Sequence, residues 1–139
     1  MKKIVIAGSA KFCDEMSEWK EYFENKGHEV INYPKKIDQR NAQEYQHVYI
    51  KFFESLNETD ILFVVNKNKN GIEGYIGAET FAELTYALIQ KKVNGQNKKI
   101  YLLKMPSEEV ACYTEIRNFV ELGWIEIFDK EESESKWEK

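Results

Sequence analysis

The feature that most restricts this chain is the run Ile61-Leu62-Phe63-Val64-Val65, five apolar residues in succession between Asp60 and Asn66. A strand with one wet face alternates polar and apolar residues. An unbroken aliphatic and aromatic run is covered on both faces, as in a parallel sheet flanked by helices. Residues 3–7 read the same way and end in the small residues Gly8-Ser9-Ala10. Between these runs the periodicity changes. Phe12, Met16, Trp19 and Phe23 recur at helical spacing, and Lys26-Gly27 closes that helix with a glycine. Residues 28–33 form a second strand stopped by Pro34. Tyr45, Val48, Tyr49, Phe52, Phe53 and Leu56 mark a second helix, with Asn41 and Glu44 at capping-box spacing before it.

The alternation continues to the end of the chain. Residues 66–77 form a loop carrying Asn70-Gly71, Gly74 and Gly77, a third helix runs from 78 to 92, and Asn94-Gly95 ends it. A fourth strand spans 99–104. Pro106-Ser107 predicts the start of a fourth helix, with Glu108 and Glu109 at its positive end. Residues 124–128 are a fifth strand, and the charged tail 129–139 is expected to fray. Five strands alternating with helices predict one doubly wound domain over residues 1–128, flavodoxin-like, with strand order 2-1-3-4-5. Ligands of such sheets bind beyond the strand C-termini at the switch between strands 1 and 3.

Composition removes several function classes. The net charge is −4 with no basic stripe, which argues against a nucleic acid polymer as partner. No apolar run approaches the roughly 20 residues of a bilayer span, and the apolar start breaks at Gly8 and Lys11, too early for a signal peptide. A cytoplasmic protein is expected, with Cys13 and Cys112 as reduced thiols. His28 and His47 are far apart in sequence and give a metal site little support; no metal and no cofactor are expected.

Two loops fall at the switch point. Gly8-Ser9-Ala10-Lys11-Phe12 lacks the Walker spacing and the three glycines of a dinucleotide fingerprint, so it is either a plain tight turn or a loop whose amides approach a ligand, with a helix dipole behind it. The second loop leads into Glu79 and Glu83. Four apart on a helix, they share one face with Cβ atoms about 5–6 Å apart, and like charges so placed repel. They are either a solvated pair or a pair with a role. Glu83 stands among Phe81, Ala82, Leu84, Tyr86 and Ala87, an apolar setting for a carboxylate.

The strings Gly8-Ser9-Ala10-Lys11-Phe12, Asp60 through Asn66, Tyr75-Ile76-Gly77 and Ala82-Glu83-Leu84-Thr85-Tyr86-Ala87 together resemble the nucleoside 2-deoxyribosyltransferase-like superfamily, which includes 2′-deoxynucleoside 5′-monophosphate N-glycosidases. The resemblance implies an enzyme that cleaves or transfers the N-glycosidic bond of a (deoxy)nucleoside or nucleotide. Its nucleophile is the glutamate of a Glu-Leu-Gly-Tyr-Ala-like string, here Glu83. It implies a small-molecule substrate contacted by Gly8, Ser9, Phe12, Asn66, Tyr75 and Gly77, with Phe12 near the base, and a homodimer or higher oligomer with helix 2 near the interface. The sequence departs from the family at two acids. Gly77 stands six residues before Glu83, where an aspartate or serine is usual, and Phe52 stands eight before Asp60, where an aspartate is usual. Glu79 is the candidate substitute. The departures leave an alternative, a nucleotide-binding module on the same fold without catalysis. Asp60 precedes its strand, at the end of the sheet away from the crevice, and reads as a cap or turn residue.

Overall fold

The computed structural model describes residues 1–137. Five parallel strands, β1 (Lys3–Ala7), β2 (Glu29–Asn32), β3 (Ile61–Val64), β4 (Lys99–Leu102) and β5 (Glu126–Ile127), lie in the order β2-β1-β3-β4-β5. Five helices connect and cover them: α1 (Cys13–Asn25), α2 (Ala42–Glu58), α3 (Ala78–Lys92), α4 (Tyr113–Glu121) and α5 (Glu132–Trp137). This is the doubly wound, flavodoxin-like α/β fold.

The apolar strands explain the two-sided cover. Side chains alternate faces along a strand, so β1 sends Val5 and Ala7 to one side and Ile4 and Ile6 to the other. β3 splits likewise, Leu62 and Val64 against Ile61 and Phe63. One core takes Phe52 and Leu56 of α2, Leu84, Ala87 and Leu88 of α3, and Ile116 of α4. The other takes Met16 and Phe23 of α1 and Trp137 of α5. The central strands pair in simple register, Ile4 beside Ile61 and Ile61 beside Lys99, so their C-terminal ends finish together along one edge of the sheet.

Three expectations are corrected. The chain does not enter a helix at Pro106-Ser107. Ser107 Oγ instead accepts the Glu109 N–H at 3.1 Å, the chain turns to bury Val110 and Cys112, and α4 begins only at Tyr113. Residues 129–137 are not a frayed tail: Asp129 caps α5 by accepting the Glu131 and Glu132 N–H groups, and Trp137, 4% exposed, donates Nε1–H to the Tyr101 hydroxyl at 2.9 Å, while the last two residues of the expected tail lie outside the described residues. The domain therefore extends past residue 128 through Trp137. Finally, the loop after β1 does not lead directly into α1, because a single 3-10 turn (Ala10–Phe12) intervenes. Asp60 lies where its position before β3 places it. Its carboxylate accepts the Lys3 N–H at 2.8 Å, at the far end of the sheet from the crevice.

No helix among the described residues is long and apolar enough to cross a membrane.

Candidate active site

A cavity of about 240 Å³ opens at the C-terminal ends of β1 and β3, the switch point of the sheet. The loop after β1 forms its floor through Gly8 and Ser9. α2 gives one wall, Tyr45, Val48, Tyr49 and Phe52, and the start of α3 gives the facing one, Gly77, Glu79, Thr80 and Glu83. Of the eight residues singled out from the sequence, Gly8, Ser9, Tyr75, Gly77, Glu79 and Glu83 converge on this one space.

Gly8 is fixed by close packing. Its φ is +147°, and a Cβ there would stand 2.7 Å from the Val65 carbonyl oxygen and 2.9 Å from Met16 Cε. Only glycine lets the chain turn so tightly beside β3. Ser9 follows with extended backbone, and its Oγ accepts the Lys11 N–H at 3.3 Å, so the hydroxyl is engaged in starting the 3-10 turn. Gly77 precedes α3, and a Cβ on it would meet the Tyr75 hydroxyl at 3.2 Å. A side chain at residue 77 would therefore crowd the Tyr75 ring at the cavity wall.

The two glutamates have different surroundings. Glu79, in the first turn of α3, is exposed. Glu83, one turn on, is 6% exposed, and no hydrogen bond from another described residue reaches its carboxyl. Burial pushes that carboxyl up to about 8, and the charge of Glu79 adds to the shift. On the α2 side the Tyr45 phenol is also raised, first by the Glu79 carboxylate, then by burial, Tyr49 and Glu83. The carboxyl pair and the phenol thus share one electrostatic environment between two helices. A buried acid facing a cavity with no internal partner can receive a proton, hold one, or attack an electrophilic carbon once ionised.

Two expected contacts lie elsewhere. Phe12 is 5% exposed and packs in the core beneath α1, so it is not the aromatic beside a bound base. The aromatic surfaces at the cavity are Tyr45, Tyr49, Phe52 and Tyr75. Asn66 is fully buried outside the cavity lining. Its amide donates to the Gly74 and Lys104 carbonyls at 3.3 and 2.7 Å and accepts the Leu103 N–H at 2.9 Å, tying the loop after β3 to the exit of β4. At the family's acid positions, Phe52 is an apolar wall and Gly77 carries no side chain. The helix-2 aromatic stripe, which reads as core or interface, divides: Phe52 and Leu56 are core, and Tyr45, Val48 and Tyr49 reach the cavity with Phe52. The 45/48/49/52 spacing carried that signal. Lys35 and Lys69 also line the cavity from loops in which no sequence pattern marked them.

Comparison of the chain with protein-family models, with curated proteins and with solved structures finds no match.

Proposed function

We propose that this protein cleaves or transfers the N-glycosidic bond of a (deoxy)nucleoside or nucleotide, with Glu83 as nucleophile, as its resemblance to the nucleoside 2-deoxyribosyltransferase-like superfamily implies. The observation that carries the reading is the Glu83 carboxyl, buried at the wall of the switch-point cavity without a hydrogen-bonding partner among the described residues. A buried acid of that kind is costly unless it is used.

In the proposed reaction the ionised Glu83 carboxylate approaches the anomeric carbon as positive charge grows on the sugar ring. The C–N bond breaks with its electron pair leaving on the base, which takes up a proton, and a glycosyl ester forms on Glu83. Attack by water, or by the nitrogen of a second base, then breaks the ester and restores the carboxylate. Burial and the Glu79 charge keep the proton on Glu83 near neutrality. The cationic sugar favours the ionised form and so brings the group toward reactivity as the bond weakens. Glu79, whose charge already raises Glu83, is the proposed relay: it takes up the proton that Glu83 releases and passes it to the departing base.

The test is a screen of deoxynucleosides and deoxynucleotides for free base, with Glu83→Ala as control. Turnover by Glu83→Ala equal to the unaltered protein would exclude the mechanism, and turnover by Glu79→Gln equal to it would remove Glu79 as the acid. Phe52 and Gly77, standing where family acids are usual, favour a second reading, a nucleotide-binding module without catalysis. Tight nucleotide binding by calorimetry with no base released over hours selects it. The resemblance also implies a homo-oligomer. Exposed Tyr49 and Ile50 on α2, Ile89 on α3 and Val93 just after it are consistent with a second copy there, and sedimentation of the protein tests it.

A further inference from the structure

Glu83 is not alone in lacking a partner on the cavity side of α3. Thr80, three residues before it, is also 6% exposed and lines the same cavity. A hydroxyl on a helix can be satisfied by a carbonyl of the preceding turn, as Ser55 of α2 is by the Phe52 carbonyl. Among the described residues the Thr80 hydroxyl makes no hydrogen bond, and it is not one of the sealed, unpartnered oxygens, as Thr85 Oγ1 on the same helix is. What surface Thr80 keeps is turned to the cavity, so its hydroxyl is satisfied only by what the cavity holds. Gly77, Thr80 and Glu83 stand at successive three-residue steps, one row along that face of the helix. Gly77 brings no side chain, and the Tyr75 hydroxyl fills its corner, 3.2 Å from where a Cβ would stand. The row therefore presents a phenol, a hydroxyl and a carboxyl, facing Val48, Tyr49 and Phe52 of α2. One wall suits the hydroxylated edge of a sugar, the other a flat ring.

We infer that Thr80 is a specificity-determining residue, and that the favoured substrate carries ribose, with a hydroxyl on the ring carbon next to the one attacked. This rests on the proposed function for the attack by Glu83, and it departs from the 2-deoxy sugar of the superfamily that the chain resembles. In a β-linked nucleoside the base leaves from one face of the sugar and the carboxylate enters from the other. The 2′-hydroxyl of ribose lies on the entering face, beside the attacked carbon, and so meets the wall that carries Glu83. Thr80 is the adjacent polar group of that wall, since residues three apart on a helix have Cβ atoms about 5–6 Å apart. One hydroxyl can donate to or accept from another, and a bond to the 2-hydroxyl strengthens as charge grows on the ring in the transition state. A 2-deoxy sugar leaves the Thr80 oxygen unpaired where the ligand has displaced water. A site built around a hydroxyl rejects the analogue lacking it far more strongly than an apolar pocket rejects an added one.

The experiment measures kcat/KM for base release from ribonucleosides and their 2′-deoxy and 3′-deoxy counterparts, each also as the 5′-monophosphate. The parent protein, Thr80→Val and Thr80→Ser are compared, with melting curves as the folding control and Thr80→Ala in place of the valine variant should that one not fold. Valine keeps the branched shape without the hydroxyl, and serine keeps the hydroxyl. Deoxy sugars lose their base more readily in water, so the quantity compared is the ribo to 2′-deoxy ratio, in which that difference cancels between proteins. The ratio is expected to fall at least about tenfold in Thr80→Val and to be kept in Thr80→Ser, with the ribo to 3′-deoxy ratio unmoved. An unchanged ratio in the folded valine variant overturns the inference and leaves the glycosidic reading standing, as does a fall confined to the 3′-deoxy ratio. If no sugar releases its base, the glycosidic reading falls, and calorimetry with the same ligands decides for Thr80. Tighter binding of the ribo form, lost in Thr80→Val, keeps it as a hydroxyl site, while equal affinities or no binding remove it.

Discussion

Glu83 is where a single side chain has the largest consequences. Its carboxyl is raised from 4.5 to about 8, first by burial and then by Glu79. The folded protein therefore binds a proton that the unfolded chain releases between those values. A raised carboxyl contributes fully below the unfolded value, and that contribution is lost as pH rises toward 8, at a slope of about 1.4 kcal/mol per pH unit. Glu83→Gln removes the titration while keeping the shape. It is expected to stabilise the fold by on the order of 3–5 kcal/mol at pH 9 relative to its effect at pH 4, read from denaturant midpoints across that range. The same substitution is expected to lower base release by more than about 10³-fold. In the proposed reaction Glu83 must be ionised to attack, so kcat/KM is expected to rise with pH up to about 8 and then level. A profile falling over that range would assign Glu83 to a proton-donating role instead. Gly8 illustrates a residue fixed by space. Gly8→Ala puts a methyl group 2.7 Å from a backbone oxygen at φ +147°, and a loss of roughly 2–3 kcal/mol in chemical denaturation is expected.

The elements divide into those whose signals are local and those whose boundaries depend on distant partners. β1, β3 and α3 read cleanly because unbroken apolar runs and the 78–92 periodicity are self-contained. α4 does not, because Pro106-Ser107 is an ordinary helix start locally, while Val110 and Cys112 must first reach the core. The same limit hid the role of Lys98. In sequence it is one more lysine beside Lys99. In the fold it is 4% exposed, and its Nζ donates to the Leu56 and Thr59 carbonyls at 2.6 and 2.9 Å, closing the C-terminal end of α2. Lys98→Met keeps the stem but leaves both carbonyls without this donor. A loss of about 3 kcal/mol is expected in urea unfolding, and a midpoint unchanged from that of the parent protein would show that water replaces the ammonium. The candidate site was legible in the same uneven way. Glu79, Glu83 and the glycine loop stand at the switch point because topology puts them there. Phe12 was misplaced because the resemblance alone put it near a base; its helical spacing with Met16 and Phe23 marked an apolar face, and that is the core it joins.

At the scale of the molecule, the sheet separates two cores with different duties. The cavity lies on the side of α2 and α3, while α1 and α5 seal the other side. The last described turn of chain belongs wholly to that second side. Trp137 packs its ring within 6.0 Å of those of Phe23, Tyr101 and Phe128 and is hydrogen-bonded to Tyr101. Charge density made this segment look like a solvated tail, because one buried tryptophan among acidic and basic neighbours leaves no periodic trace. Trp137→Ala opens a cavity across the sheet from Glu83 and removes the partner of a buried hydroxyl. It is expected to cost about 3–5 kcal/mol and to lower the melting temperature by roughly 10 °C. Because β1, β3 and β4 stand between that cavity and the site, KM and the pH profile of the proposed reaction, measured on folded protein, are expected to stay as in the parent. Measuring both on one preparation below its melting range checks the separation. A shifted pH profile with the protein still folded would mean that the sheet transmits packing changes from α5 to the Glu83 environment, and that the two cores act as one.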